Sequence, residues 1–497
     1  MNRHFDITGQ NSWEGFPNIA FGRIDYFEQI EDEEETFFLG ISSVDIISLK
    51  NSLLNYQFLD LTEYFEDFWT LRFKKFDNLT KDQVLKLRKV EEWFDNIRLF
   101  HLILTGKKQD QPKIVSIFGQ ESLDTQRSDW MQIELSSTRS NNDEIEVKAF
   151  GGLFSEPNLV YLKKITHSKE KDKSILNLMF SMENWPNSSP SQIKNKLKDV
   201  NASYLACYDV GQGLATSLLG PYFSTTLHYD IGTGVYQNAH TRNSGLILCN
   251  SEDPPIILSH WDTDHWAGAF YCVPKSDDKV FRKRIWIAPR DLYVGPTHIA
   301  FAEQIIRSGG RVLLWNSSSS SKINIKLTDG RTLSLIKGSG KGRNESGIAL
   351  MVENMNNHKW LLTGDVEYRY IFRLIPPLGI AAMTVPHHGA KFKSKSIHPG
   401  PNSGPYRRLI YSFGQGNTYN HPHVQCISSH IHFGWDHGTW TPPTSGHTIP
   451  GMDVLSTATR DSYLKHLGGL IVGWNSSPTP PGIPCSISKC NASLIQS

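Results

Sequence analysis

The pattern of apolar and polar positions changes texture about two-fifths of the way along the chain. Up to about residue 185 aromatic residues are frequent and the clearest period is helical. Thr80-Lys81-Asp82-Gln83 is a capping box, with Val84, Leu87, Val90, Phe94 and Ile97 at helical spacing behind it, so a core-facing helix is expected. The same part opens with an acidic run, Glu28, Glu31, Asp32, Glu33, Glu34 and Glu35, which reads as a solvated face or a partner-docking segment. Residues 183–195 have the Pro/Ser/Asn composition of a linker or a long surface loop, which puts a domain boundary there. Beyond it, short apolar runs predict strands at 204–210, 215–219, 223–231 and 255–259. Further strands are expected at 284–288, 311–315, near Ile323, and at 332–336, 348–352, 359–363 and 380–385. Thr297 caps a helix that stops at Gly309-Gly310. Many strands with few interleaved helices predict two sheets with helices outside them.

Charge narrows the function only slightly. The 497 residues carry 51 Lys and Arg against 50 Asp and Glu, a net charge of +1, which excludes the global basic field of a nucleic-acid-coating protein and leaves room for a local basic groove. No run approaches the roughly 18 apolar residues of a membrane span, and the first residues lack the apolar core of a secretion signal. Six cysteines without a Cys-x-x-Cys pair fit a reducing compartment, so the expectation is a cytoplasmic chain with no membrane partner.

The densest chemistry lies in Ser259-His260-Trp261-Asp262-Thr263-Asp264-His265-Trp266-Ala267-Gly268, directly after a buried strand. A loop leaving a strand can turn two imidazoles and two carboxylates towards divalent cations. Capping of a following helix would explain one Asp, not His260, Asp262, Asp264 and His265 together. A carboxylate at position 262 makes the site harder, favouring Mn²⁺ or Mg²⁺ without excluding Zn²⁺.

This His-x-Asp-x-Asp-His loop resembles the metal-binding loop of the metallo-β-lactamase fold, in the variant found in ComEC-type hydrolase domains. Five other segments agree in order: Tyr208-Asp209-Val210-Gly211-Gln212-Gly213, Tyr229-Asp230-Ile231-Gly232-Thr233-Gly234, Leu361-Leu362-Thr363-Gly364-Asp365, Val385-Pro386-His387-His388-Gly389 and Asn420-His421-Pro422-His423. The resemblance covers about residues 203–425. It implies an α/β chain with a four-layer αββα sandwich over 203–475. An additional N-terminal α+β domain of unknown role (1–185), a linker (186–202) and a tail (476–497) complete the expected organisation.

The resemblance further implies two divalent cations, zinc or manganese, held by His260, Asp262, Asp264, His265, Asp365 and His388, with Asp365 bridging. Asp209 and Asp230 are either turn formers or acceptors of a hydrogen bond from a metal-bound His. Asp264, His421 and His387 are the candidate catalytic residues; His421 stays open between a late ligand, a proton donor and a structural His. The wider fold's middle His ligand has no clear counterpart, since only His298 and His358 lie between His265 and Asp365.

Basic residues flank these motifs. Lys391, Lys393, Lys395, Arg407 and Arg408 are the candidate substrate-binding group, and Lys279, Arg282, Lys283 and Arg284 form a second cluster. Together they suit a polyanion. The expected function is therefore a metal-dependent phosphodiesterase, a nuclease acting on DNA more than RNA. The rivals are hydrolysis of a small-molecule ester, lactone or thioester, and a non-catalytic subunit with a structural metal site whose N-terminal domain docks a protein partner.

Overall fold

The computed structural model describes residues 1–30, 35–53, 65, 67–73, 79–140, 144–317, 321–392, 397–442, 452–458, 469–478 and 492. Glu31, Asp32, Glu33 and Glu34 of the acidic run, Lys393, Lys395, and the pair Cys485 and Cys490 lie outside the described residues. The chain divides into two compact units, Met1–Pro186 with Arg290–Arg307, and Asn187–Pro289 with Ser308–Ser497. No helix among the described residues is long and apolar enough to cross a membrane.

The first unit is built on a closed antiparallel barrel. Its strands are β1 (Ile19–Gln29), β2 (Phe37–Asp45), β3 (Leu99–Gly106), β4 (Met131–Ser136), β5 (Glu146–Phe150) and β6 (Pro157–His167), ordered β1-β2-β3-β5-β6-β4 and closed by β4 on β1. Met131, Ile133 and Leu135 of β4 are buried while the residues between them are half-exposed, the two-residue alternation of a strand with one face in a core. Closure leaves no strand edge unpaired. The helix Lys81–Asn96 starts at the expected capping box and buries Leu87, Val90, Trp93 and Phe94.

Two parts of the expected domain organisation differ. Residues 186–202 are not a linker. Ser189 caps the helix Pro190–Leu197, whose Ile193 and Leu197 are fully buried in the core of the second unit. Serine, proline and asparagine favour loops, but Ser189 and Pro190 are the N-cap and first residue of a helix, where both are equally favoured. The second difference is that Arg290–Arg307 belongs with the first unit. There the helix Pro296–Arg307 places His298 Nε2 3.1 Å from Asp25 and Glu303 2.9 Å from Arg72.

The second unit contains two seven-stranded sheets. The first comprises β7 (Tyr204–Tyr208), β8 (Ala215–Leu219), β9 (Thr225–Ile231), β10 (Ile256–Ile257), β11 (Ile285–Pro289) and β12 (Arg311–Trp315), with β20 (Gly469–Val472) on its far edge, in the order β12-β11-β10-β9-β8-β7-β20. The other runs in chain order from β13 (Lys322–Lys326) through β14 (Thr332–Lys337), β15 (Ile348–Glu353), β16 (Lys359–Leu362), β17 (Ile380–Thr384) and β18 (Arg408–Tyr411) to β19 (Val454–Ser456). Strand bounds fall within a few residues of those expected from the apolar runs.

One core joins the two sheets face to face, with Leu218, Tyr229, Ile257 and Leu313 from the first meeting Leu335, Leu350, Leu362 and Ile410 from the second. The other face of the second sheet buries Met351, Leu361, Met383 and Leu409 with Cys426 of the helix Val424–His432 and with Trp435 and Trp440. Strands β9 to β12 are parallel, as are β16 to β19. In each parallel set the loops after neighbouring strands leave from the same edge, the usual place for a ligand site in an α/β sheet.

Replacing Leu197 by Ala should destabilise the second unit by about 2–5 kcal/mol, since it empties a fully buried position; a solvated linker would show no change in a denaturant melt. Glu303 supplies a pH-dependent counterpart. Its complete burial pushes the carboxyl up to about 7 from 4.5 although Arg72 and Arg307 pull the other way. The folded chain therefore holds a proton that the unfolded chain releases, and this contribution to stability is lost as pH rises from about 4.5 through 7. Glu303→Gln should remove that loss, so that stability falls less between pH 5 and 8 than in the wild type, read from paired melts at each pH.

Candidate metal centre

The strand ends of both sheets bring together most of the residues singled out in the sequence. From the first sheet, β9 carries Asp230 one residue before its end and β10 leads into Ser259 and the loop 260–265. From the second, β16 leads through Thr363 and Gly364 to Asp365, β17 leads to His387 and His388, and β18 leads to Ser412. Backbone bonds stitch these ends together: Ile348 N–H donates to Ser259 O at 2.8 Å, His387 N–H to Gly364 O at 3.1 Å, and His423 N–H to Gly389 O at 2.8 Å.

Two glycines permit the approach. A Cβ on Gly232 would lie 1.7 Å from the carbonyl oxygen of Asp264, so only glycine lets the loop rest on the end of β9. Gly364 has φ +56°, and a Cβ there would sit 2.6 Å from that of Ser259. By contrast, His387 and His388 adopt left-handed φ of 49° and 55° without being glycine. Such conformations cost roughly 1 kcal/mol or more each and persist where the surroundings dictate them.

Each of three imidazoles is anchored through Nδ1, which leaves Nε2 facing the others. Asp230, fully buried, accepts from Ser259 N–H and from the Ser259 hydroxyl, both at 2.7 Å, and from His265 Nδ1 at 2.9 Å. Because the Ser259 proton goes to Asp230, its oxygen is free to accept from His260 Nδ1 at 2.9 Å. His388 Nδ1 donates to the Ser412 carbonyl at 2.9 Å. With the protons on Nδ1, the Nε2 lone pairs of His260, His265 and His388 converge, and these three buried atoms and Asp365 Oδ1 have no hydrogen-bond partner.

The converging atoms form two overlapping groups able to hold a cation, His260–His265–Asp365 and Asp264–His265–His388. Asp365 Oδ1 lies 3.1 Å from His265 Nε2 and its Oδ2 3.5 Å from His260 Nε2, while Asp264 Oδ2 lies 3.2 Å from His388 Nε2. An imidazole nitrogen has one lone pair, so His265 serves one cation only. If it joins Asp264 and His388, His260 is left with Asp365 and with Asp262, whose Oδ2 is 3.2 Å away.

The electrostatics call for positive charge. Burial by itself would lower the His265 pKa, but Asp365, Asp230 and Asp264 raise it well above the usual value. Burial would likewise raise Asp365, yet His265, His387 and His260 hold it well below the ordinary carboxylate range. Asp264 is also lowered, by His265 and His388 against its burial. Unpartnered nitrogen lone pairs facing ionised carboxylates in a buried pocket fit a divalent cation, the mixed N/O donor set being one that Zn²⁺ or Mn²⁺ accepts.

The other expected residues fall into three kinds of place. His387 stands at the open side, 25% exposed, with Nε2 3.6 Å from Asp365 Oδ2. His421 is buried, its ring centroid 5.6 Å from that of His387 and 6.5 Å from that of His388. Burial, then His387 and His388, push its pKa well below the usual value, so it is neutral near pH 7. Asp209 accepts from Gly211 N–H in its own turn at 3.4 Å, and His423 caps the helix Val424–His432 by accepting from Gln425 N–H. His298 pairs with Asp25 in the first unit, and His358 lies on the β15–β16 connection; neither supplies a middle ligand.

Much of the basic charge is already paired. Arg282 meets Asp278 at 3.2 Å, Lys283 meets Asp277 at 2.8 Å, Arg284 pairs with Asp253, and Arg407 meets Asp453 at 3.0 Å. Arg408 donates to the Arg407 carbonyl at 2.6 Å and to Ser477. Lys391 is exposed. The acidic partners of these cations lie up to 46 residues away along the chain, so the charge clusters are less free than their local spacing implies.

Four contributors were missed. Ser259 and Ser412 orient the imidazoles, Gln212 Nε2 donates to His421 Nδ1 at 3.2 Å, and the buried Arg343 Nη1 donates to Asp262 Oδ1 at 3.1 Å. Ser259 and Gln212 stood inside quoted motifs, whereas Arg343, 81 residues from Asp262, carried no local signal.

No protein-family model matches the chain, and no curated protein does. Among solved structures, a metallo-beta-lactamase with a HARLDQ motif from Cronobacter sakazakii is similar at 14% identity, over 37% of this chain and 67% of that one, with a TM-score of 0.19.

Asp230→Asn should weaken cation binding by roughly 10–100-fold, because it loses an acceptor that orients His265 through a hydrogen bond rather than a ligand. Dialysis against a Zn²⁺ buffer followed by elemental analysis measures this, with unchanged circular dichroism showing that the strands persist.

Proposed function

We propose that the chain is a metal-dependent hydrolase of metallo-β-lactamase-like fold, acting as a phosphodiesterase, with DNA as the first substrate to test. The observation that supports it most is the convergence of three buried Nε2 lone pairs on Asp264 and Asp365 at the joined ends of two parallel strand sets. His260, Asp262 and Asp365 would hold one divalent cation, and Asp264, His265, His388 and Asp365 the other. When bound, such cations supply Lewis acidity and make water a better nucleophile near neutral pH.

The remaining residues position the substrate and manage protons. Asp264 and His387 line the open side, with side-chain exposures of 24% and 25%, so substrate enters past them. His421 contributes a hydrogen bond and not a charge. Gln212 donates to its Nδ1 and thereby keeps the proton on Nε2, and the buried neutral ring can donate that proton to charge building up on a leaving oxygen.

The paired state of Arg282, Lys283, Arg284 and Arg407 favours a second reading, hydrolysis of a small-molecule ester, lactone or thioester, since fewer free cations remain to follow a polyanion. One assay panel separates the two: single- and double-stranded DNA, RNA, bis(nitrophenyl) phosphate, a lactone and a thioester, each with Mn²⁺, with Zn²⁺ and with chelator. The phosphodiesterase reading expects metal-dependent cleavage of the phosphodiesters, abolished in Asp365→Asn. His421→Ala should slow it by about 10²-fold without loss of metal. Turnover of only the lactone or thioester would move the chain to the second reading.

A further inference from the structure

Among the described residues, Arg343 is a strong cation placed against the candidate ligands by the fold and not by the motifs. It lies in the connection between β14 and β15, and its side chain is 1% exposed. That connection is held in shape by its own backbone, with Gly338 N–H donating to Gly347 O at 2.9 Å and Ser346 N–H to Gly342 O at 2.8 Å. It also ends at Ile348, whose N–H is bonded to Ser259 O, the residue before His260. The guanidinium is therefore fixed relative to the ligand loop.

Its contact divides Asp262 into two unequal halves. Oδ1 accepts from Arg343 Nη1 at 3.1 Å, and Oδ2 faces His260 Nε2 at 3.2 Å. Among the described residues the other group shows no such contact: Asp264 lies 3.2 Å from His388 and 3.9 Å from His265. One half of the cluster thus offers His260, a guanidinium-bound carboxylate and a share of Asp365. The other offers two imidazoles, an unshared carboxylate and the other oxygen of Asp365.

We propose that Arg343 is a positioning residue that makes the two cation centres unequal. It holds Asp262 in place for His260 while its charge weakens that centre, so the Asp264–His265–His388–Asp365 centre fills first and the His260–Asp262–Asp365 centre fills second and exchanges. This inference rests on the two-cation reading above. The consequence is an enzyme that keeps one structural cation at all times and is switched by the free concentration of the second.

The test is a titration of the full, metal-stripped chain with Mn²⁺, following free ion by its paramagnetic resonance signal, which reads binding without reference to activity. The wild type should bind in two resolved steps. His388→Ala should abolish the tight step, and Asp262→Asn the weak one. Arg343→Gln keeps a hydrogen-bonding group but removes the charge; it should strengthen the weak step roughly tenfold or more and change the tight step far less, since a unit charge a few ångströms from a divalent cation is worth at least that factor even in a screened interior. Arg343→Lys, which keeps the charge, should retain two unequal steps and serves if the Gln variant fails to fold. Two equal wild-type sites, or an Arg343→Gln chain with both steps unchanged or equally shifted, would overturn the proposal. A wild type that binds no Mn²⁺ or Zn²⁺ would remove the cation reading of the site itself.

Discussion

Asp230 is the group on which the site depends. It is a carboxylate with no exposed surface, and burying such a charge is costly unless donors surround it. Three donors do: the Ser259 amide, the Ser259 hydroxyl and His265 Nδ1. The same bonds set everything that faces the cluster. Ser259, having given its proton away, takes that of His260, and both imidazoles are left with bare Nε2 atoms. A single acceptor at the end of β9 thus fixes two tautomers, two ring orientations and the start of the ligand loop.

The second sheet supplies the other half of the site under a different constraint. Asp365, His388 and Ser412 follow three parallel neighbours, β16, β17 and β18, so register alone brings them to one edge. What register cannot do is aim the side chains. Two consecutive left-handed histidines do that, at an energetic cost the surrounding bonds offset, the His387 amide being held by the Gly364 carbonyl. The shared core between the sheets keeps the two edges within ligand distance. Its loss would separate Asp365 from His260 and His265, which come from different sheets.

Charge is handled locally throughout. The imidazoles of the cluster hold Asp264 and Asp365 ionised against burial, and Arg343 sits against Asp262. Arg282, Lys283, Arg284 and Arg407 are paired with neighbouring aspartates. Among the described residues the candidate ligand groups are therefore concentrated in a small buried volume.

How much was legible in the chain follows from the range of each interaction. The strands of the second unit could be read because apolar runs and turn residues act within a few positions, and the ligand loop because four ligand types crowd into six residues, His260 to His265. The first unit's barrel could not, since its closure is a pairing of β1 with β4 across more than a hundred residues. The stretch at 186–202 was misread because Ser and Pro serve both loops and helix starts, and only the burial of Ile193 and Leu197 separates the two. Likewise the basic clusters looked free until their aspartates were in view. The sequence by itself determined which residues offer ligand chemistry and which strands carry them; the tertiary structure alone decided which nitrogen of each imidazole faces inward, which carboxylate is shared with Arg343 and which cations are already paired, because those depend on contacts between segments far apart in the chain.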